Sequence, residues 1–424
     1  MSTFQPVRGM RDLLAQDAET LTYAINKARE TAALYGFKET ITPIVEPFEL
    51  LSAKSGDEIR QRMFIFDDLG GRKVALRPEF TASIARLATT ALKNEPKPFR
   101  LFSVGNVYRY DEPQKGRYRE FWQANFELMG SSRPEADAEI LLLANSLLKN
   151  VGLSGYALKL GHVGVVRGLL SQEGVDDKTQ NAILQKMDKK EYEAASALAP
   201  SDKGRTVLAG LVELKGETAF ETIQKMREYV KGCEKASAAV ENLAAILKLV
   251  TDSGCEIQTV DPAFARGLEY YTGMIFELYV PQLDIALGGG GRYDRLIEAF
   301  GGESTPAVGV AAGLDRIALA MQAQKTQLKK PQQKKAAIIP IKEEQKSEAL
   351  KIAQMLRDAG VEVEFEVMGR KMAKALEDAD KRKVDYAIIV GERELKEGKV
   401  VVKDLANRTQ SEVEIKALAQ KIRT

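Results

Sequence analysis

The stretch REFWQANFELMG at 119–130 alternates with period two. On an extended strand Trp122, Ala124, Phe126 and Leu128 fall on one face and Phe121, Gln123, Asn125 and Glu127 on the other. The first face belongs in a core. The second sets a carboxylate and two amides beside an aromatic ring, which suits the floor of a polar binding site. A glycine run, GGGGRYD at 288–294, lies further along. It lacks the G-x-G-x-x-G spacing and is not a Walker sequence, so it reads as a strand that a substrate approaches closely rather than as a phosphate loop. The chain has one histidine, His162, and two cysteines, Cys233 and Cys255, without metal-ligand spacing. A multi-histidine zinc centre is therefore excluded, and no metal-ligand set is proposed from the residues.

These residues need elements to position them. Leu21, Ala24, Ile25, Ala28 and Ala32 recur at helical spacing within 17–35, and Gly36 stops the helix. FKETITPIVEP is extended up to its prolines, and RKVALRPEF at 72–80 is a strand. FRLFSVGNVYRY and REFWQANFELMG are two strands joined by the turn DEPQKGRY. Residues 134–150 form a helix, and 164–250 are mostly helical, polar and without evident active-site chemistry. Sheet character returns at 263–280. AVGVAAGLDRIALAM at 307–321 is a strand, a turn and a helix. Residues 322–335, QAQKTQLKKPQQKK, carry five lysines and no acid, the composition of a linker. Beyond it, AAIIPI, a helix near 344–358, VEVEFEV, a helix near 370–382, DYAIIVG and a final helix near 411–423 alternate strand with helix, which predicts a separate α/β domain.

The expected organisation is a domain over 1–325 with a helical insertion at 164–250, a linker at 322–335 and a smaller domain at 336–424. The 424 residues are 44% hydrophobic and 29% charged, the balance of a soluble globular chain. No apolar run reaches the ~18 residues of a membrane span, and MSTFQPVRGMRD has no secretory core. A cytoplasmic protein is expected. Net charge is +2, from 62 basic and 60 acidic residues, so any nucleic-acid contact must come from local patches.

The segments RYDEPQKGRYREFWQANFE, RGLEYYTGMIFE, GGGGRYD and GVAAGLDR, in that order, resemble the histidyl-tRNA synthetase family of class II aminoacyl-tRNA synthetases. The first is similar to class II motif 2, the second and third to two histidine-specific motifs, and the last to motif 3. The proline-containing strand at 37–47 resembles motif 1, with Pro43 at a dimer interface, and RGMRD at 8–12 matches the family's start. The likeness runs over essentially the whole chain and is loosest at 164–250. It implies an α/β fold in the broad sense: an α+β catalytic domain on an antiparallel sheet flanked by helices, a helical insertion, and a C-terminal α/β anticodon-binding domain. It implies activation of L-histidine by ATP, with Mg2+ accompanying the ATP, transfer to tRNA(His), and a homodimer.

The resemblance also assigns residues. Arg109 and Arg266 are the expected catalytic pair at the α-phosphate and substrate carboxylate. Arg117 and Arg316 are expected on the distal phosphates, and Phe121 stacks on adenine. Guanidinium suits this work because it stays charged and offers a planar donor fork. Glu127 and Tyr271 are expected to read the imidazole nitrogens, with Tyr270 and Tyr293 lining that pocket and Glu79, Thr81 and Gln123 holding the ammonium. Where the family has a glutamate for the adenine amino group this chain has Asp111 followed by Glu112, so either Asp111 through a water or Glu112 takes that contact. Gln114, with Lys115 beside it, is expected at the tRNA acceptor end. Arg370, Lys371, Lys374, Arg382 and Lys383 are candidates for phosphate contacts in the C-terminal domain. The rival implied by the same fold is a catalytically inactive regulatory subunit of ATP phosphoribosyltransferase. Such proteins lose parts of the arginine and tyrosine set and the C-terminal domain, and this chain keeps both.

Overall fold

The computed structural model describes residues 4–53, 56–266, 270–281, 283, 286–328 and 334–423, with Asp57 and Glu58 described by backbone alone. Part of the expected linker, 329–333, and part of the RGLEYY motif, 267–269, lie outside the described residues. The chain divides into two compact units, Met1–Leu328 and Lys329–Thr424.

The first unit is built on an eight-stranded sheet. Its strands run in the order Lys38–Glu39, Phe99–Tyr108, Glu120–Met129, Ala307–Gly313, Ala286–Arg292, Met274–Tyr279, Ala157–His162 and Thr259–Val260. The six inner strands pair antiparallel, and a short parallel strand closes each edge. The period-two reading of 120–129 fits this placement: Ala124, Phe126 and Leu128 join the main hydrophobic core, where the Phe126 ring packs on Phe37 and Phe102. The helices Ala15–Leu34, Pro134–Asn150 and Leu314–Ala323 contribute to the same core.

The Pro134–Asn150 helix has proline in its first turn together with Glu135 and Asp137, as a helix N-terminus prefers. Asp137 is fully buried and takes a forked contact from Arg292, with Nη2–Oδ2 at 2.7 Å. Burial raises the Asp137 carboxyl to about 6 despite the arginine. The pair fixes the end of the Ala286–Arg292 strand, and therefore the next residue, Tyr293. Removing one partner of such a pair costs about 3–5 kcal/mol, because the other charge is left buried.

The helical stretch expected at 164–250 is present as six helices from Val163–Gln172 to Glu234–Asp252. His162 caps the first, its Nδ1 accepting the Gly164 N–H at 3.0 Å, and burial drops its pKa to about 4. The one histidine is thus a neutral structural cap. A three-stranded sheet of Val45–Pro47, Lys73–Leu76 and Ile65–Asp67 completes the unit. Two local expectations change. Among the described residues of 263–280 sheet structure begins at Met274, and the strand expected over 72–80 ends at Leu76, freeing Glu79 for the loop before the Thr81–Thr89 helix.

The second unit carries a five-stranded sheet in the order Glu362–Phe365, Lys335–Pro340, Tyr386–Val390, Lys399–Asp404 and Thr409–Glu414. The last two form an antiparallel hairpin that the sequence reading missed. The final helix is Ile415–Arg423, not 411–423. Residues 409–414 are polar and exposed except for the half-buried Val413, so they carry no apolar alternation that would separate a strand from a helix. Among the described residues no helix is long and apolar enough to cross a membrane.

Candidate active site

A cavity of about 360 Å³ opens on the polar face of the main sheet. Phe121, Gln123 and Glu127 line it from one strand, as the alternation predicts. Glu79, Thr81, Arg109, Arg117, Arg266, Tyr270, Tyr271, Tyr293 and Arg316 line it too, so the expected small-molecule residues converge on one space. Gln114 and Lys115 do not line it. They sit exposed at the tip of the hairpin loop, where Gln114 and Arg117 exchange backbone hydrogen bonds at 2.8 and 3.1 Å.

At one end stands a buried polar chamber. Glu127 is 1% exposed. Its Oε1 accepts from the Thr81 hydroxyl at 2.7 Å and the Asn125 amide at 2.6 Å, and its Oε2 accepts from the Tyr293 hydroxyl. Three donors leave one of a carboxylate's roughly four lone-pair sites for a ligand. Burial raises Glu127 to about 7, these hydrogen bonds pull it back, and the nearby Glu79 charge adds to the rise. Glu79 accepts from the Tyr270 hydroxyl at 3.2 Å. Burial also raises its pKa, against the opposing charge of Arg109. Gln123 Oε1 is buried and accepts no hydrogen bond, an acceptor waiting for a donor. The Tyr270 ring lies 4.9 Å from Tyr271 and 5.6 Å from Tyr293. Burial pushes Tyr271 up to about 12, so its hydroxyl stays protonated.

At the other end stand guanidinium groups. Arg109 donates from Nε to the Pro78 carbonyl at 2.9 Å and lies 5.5 Å above the Phe121 ring. Arg316 donates to the Gly116 carbonyl at 2.9 Å and to the Ala286 carbonyl at 2.8 Å, which ties the hairpin loop to the glycine strand. Its pKa is lowered, first by burial and then by the charges of Arg117 and Arg109. Three cations therefore repel across the same space, the arrangement expected where a polyanion binds. Arg266 donates to the Phe276 carbonyl at 3.2 Å and contacts Glu277 at 3.4 Å. Burial works against its charge, but Tyr271, Glu277 and Asp188 overcome this and hold its pKa above the ordinary value.

Gly288, Gly289 and Gly290 line the cavity, in keeping with a strand that a substrate approaches. The protein crowds the run as well. A Cβ on Gly289 would collide with the Arg266 guanidinium and stand 2.6 Å from the Phe276 carbonyl, and one on Gly290 would strike the Gly309 carbonyl. Gly309, paired with Glu127 across the sheet, leaves the space that the Glu127 carboxylate fills. Asp111 lines the cavity and pairs with Arg62 at 3.1 Å, whereas Glu112 is exposed and pairs with Arg8. The sequence reading missed Arg62, Glu277 and Asp315. It also missed Asp188, which ends the Asp177–Asp188 helix and lines the cavity, so the helical stretch does bring a charged group to the site. A lone acid on a polar helix carries no sequence signal of that kind.

In the second unit Arg370 pairs with Glu366 and Asp378 at 3.2 and 3.3 Å, Lys374 with Glu377 at 3.0 Å, and Arg382 with Asp378 at 2.8 Å and with Glu364. Lys371 and Lys383 are exposed.

Residues 9–317 match the family model described as histidyl-tRNA synthetase, and residues 335–424 match an anticodon binding domain. A protein named histidine--tRNA ligase from Methanocaldococcus jannaschii is 41% identical over 98% of each chain. A crystal structure from Bacillus halodurans C, titled ATP phosphoribosyltransferase regulatory subunit/histidyl-tRNA synthetase, is 28% identical with TM-score 0.77, covering 92% of this chain and 98% of that one. The structure titled histidyl-tRNA synthetase from Nostoc sp. PCC 7120 shares the fold with TM-score 0.80 at 22% identity, covering 100% and 99%. With a family model spanning the first unit almost from end to end and a relative matched along its full length, the chain belongs to the histidyl-tRNA synthetase family.

Proposed function

We propose that the cavity joins L-histidine to ATP and that the product is used to charge tRNA(His). An oxygen of the histidine carboxylate attacks the α-phosphorus, the bond to the bridging oxygen breaks, and pyrophosphate leaves. Histidyl adenylate then passes its aminoacyl group to the 3′ end of the tRNA, releasing AMP. Two anions must meet in the first step, so the protein's part is charge and alignment. Arg109 and Arg266 hold the carboxylate and α-phosphate, Arg117 and Arg316 the distal phosphates, and Phe121 the adenine face. Asp111, on the cavity wall, is the better placed of the two carboxylates for the adenine amino group. Mg2+ enters with ATP, bound to phosphate oxygens that need no preformed protein cage.

In the chamber the substrate ammonium meets Glu79, the free lone pairs of Thr81 and the unpaired Gln123 oxygen. The imidazole meets Glu127 and the protonated Tyr271. An apolar side chain there would leave those buried groups unpaired, a penalty that supports discrimination of about 10⁴-fold or more without editing. The observation that carries this reading is the pairing, in one cavity, of an arginine, Arg316, repelled by two more, Arg109 and Arg117, with a buried carboxylate and tyrosine chamber. A regulatory subunit without catalysis would have no use for the first half of that pair. Histidine-dependent exchange of pyrophosphate into ATP tests it. Exchange that proceeds equally with another amino acid, or none with histidine, would refute it.

For the tRNA, Gln114 and Lys115 at the exposed loop tip suit the acceptor end. Lys371 and Lys383 suit backbone phosphates better than Arg370, Lys374 and Arg382, which already hold carboxylates. The homodimer is supported by exposed apolar side chains around Pro43: Ile41 is 91% exposed, and Ile44, Val45, Ile65 and Phe66 stand open on or beside the three-stranded sheet. Sedimentation at micromolar concentration tests it. The compartment proposed is the cytoplasm, where uncharged tRNA and ATP meet.

A further inference from the structure

The N-terminal segment does work that its family match leaves unexplained. Gly9 adopts a φ of +86° and its carbonyl accepts the Arg119 N–H at 2.8 Å. A Cβ there would stand 2.7 Å from the Arg119 side chain and 3.1 Å from Pro113, so the segment lies directly on the hairpin loop. Two residues on, the Arg11 guanidinium covers the Tyr118 ring at 3.6 Å and pairs with Asp315 Oδ1. The other oxygen, Asp315 Oδ2, accepts the Trp122 backbone N–H at 2.5 Å. Asp315 is 6% exposed, lines the cavity and directly precedes Arg316. Burial raises its pKa, and the Trp122 N–H and Arg11 oppose the rise.

We propose that Arg11 is a positioning residue for ATP, neutralising the Asp315 carboxylate on the cavity wall so that it does not repel the phosphates held by Arg316. The inference rests on the reading of Arg316 as a phosphate ligand. One guanidinium fastens three parts of the site: the loop through Tyr118, the sheet floor through Asp315 and Trp122, and the helix Leu314–Ala323, which carries both Asp315 and Arg316. Without Arg11 the buried Asp315 carboxylate on the cavity wall loses its counter-ion, and its negative charge opposes an incoming phosphate. The exposed Arg8–Glu112 pair lies nearby but adds little, because both ends are solvated.

The test is pyrophosphate exchange in the full chain with Arg11→Ala, Arg11→Lys, Asp315→Asn and the double variant Arg11→Ala/Asp315→Asn. Wild-type exchange that depends on histidine establishes the underlying reading independently. Arg11→Ala is expected to raise KM for ATP roughly ten- to hundredfold, the scale of one charge-assisted hydrogen bond, while KM for histidine moves less than threefold. Arg11→Lys restores part of the loss. Adding Asp315→Asn to Arg11→Ala recovers ATP use, because the uncompensated charge is gone. Equal shifts in both KM values, or a double variant no better than Arg11→Ala, would overturn the proposal in favour of a purely structural strap.

Discussion

Replacing Glu127 with glutamine should stabilise the protein at alkaline pH while destroying its use of histidine. The carboxyl titrates near 7 in the fold against an ordinary 4.5, with burial the main cause. Between those values the native state keeps a proton that the unfolded chain has released. Stability therefore falls as pH rises through that window, and the loss is complete above about pH 7. At ~1.4 kcal/mol per pH unit the ionised carboxylate costs about 3 kcal/mol. Glutamine escapes that cost. Its oxygen still accepts from Thr81 and Asn125, while its amide faces the Tyr293 hydroxyl. At ~2.1 cal/mol/K per residue, the unit Met1–Leu328 unfolds with an entropy near 0.7 kcal/mol/K, so Tm should rise by about 4 °C at pH 8 and by about 1 °C at pH 5. Trp122, the single tryptophan, sits in this unit, so its fluorescence follows the relevant unfolding without a signal from the rest of the chain. An equal shift at both pH values would refute the electrostatic argument, and so would a variant less stable at pH 8.

Arg266→Ala should lower the rate of histidine-dependent pyrophosphate exchange by 10²–10³-fold, about 3–4 kcal/mol, as loss of a positioned transition-state charge does; near-normal exchange would remove Arg266 from the reaction. Tyr271→Phe should raise KM for histidine at least tenfold and leave KM for ATP nearly unchanged, and equal effects on both would tell against the imidazole contact. Gly309→Ala should cripple histidine binding, because the added methyl occupies the place of the Glu127 carboxylate and stands 2.8 Å from the Phe126 carbonyl. Calorimetric titration with histidine checks it, and wild-type affinity would show that Glu127 need not lie where it does.

The strand at 120–129 was legible because its two faces meet different surroundings, and period two survives only under that contrast. The arginines were legible through motif order, not chemistry, since a single arginine in a sequence says nothing of its surroundings. The contacts that complete the site were not legible for a related reason. Asp188 comes from a helix more than 70 residues before Arg266, Asp315 is read through Arg11 from the opposite end of the unit, and Gly309 matters only because Glu127 faces it across the sheet. Each depends on a pairing between distant segments, and local pattern holds no record of such pairings. The 409–414 strand failed for want of burial: a polar edge strand has no apolar period to detect.

The same groups that would bind substrate are those the fold tolerates worst. Arg109, Arg117 and Arg316 repel one another, Glu79 and Glu127 resist ionisation, and Gln123 keeps a buried oxygen unpaired. None of these lowers the energy of the empty protein. Each is relieved by a complementary charge or donor: a triphosphate among the guanidiniums, an ammonium at Gln123 and Glu79, an imidazole N–H at Glu127. Binding energy is then drawn from costs already present in the fold, so the groups need little rearrangement when the ligands arrive. The Asp137–Arg292 pair and the Arg11–Asp315 tie fit this picture, because groups under mutual repulsion stay aligned only when their backbones are fastened from behind.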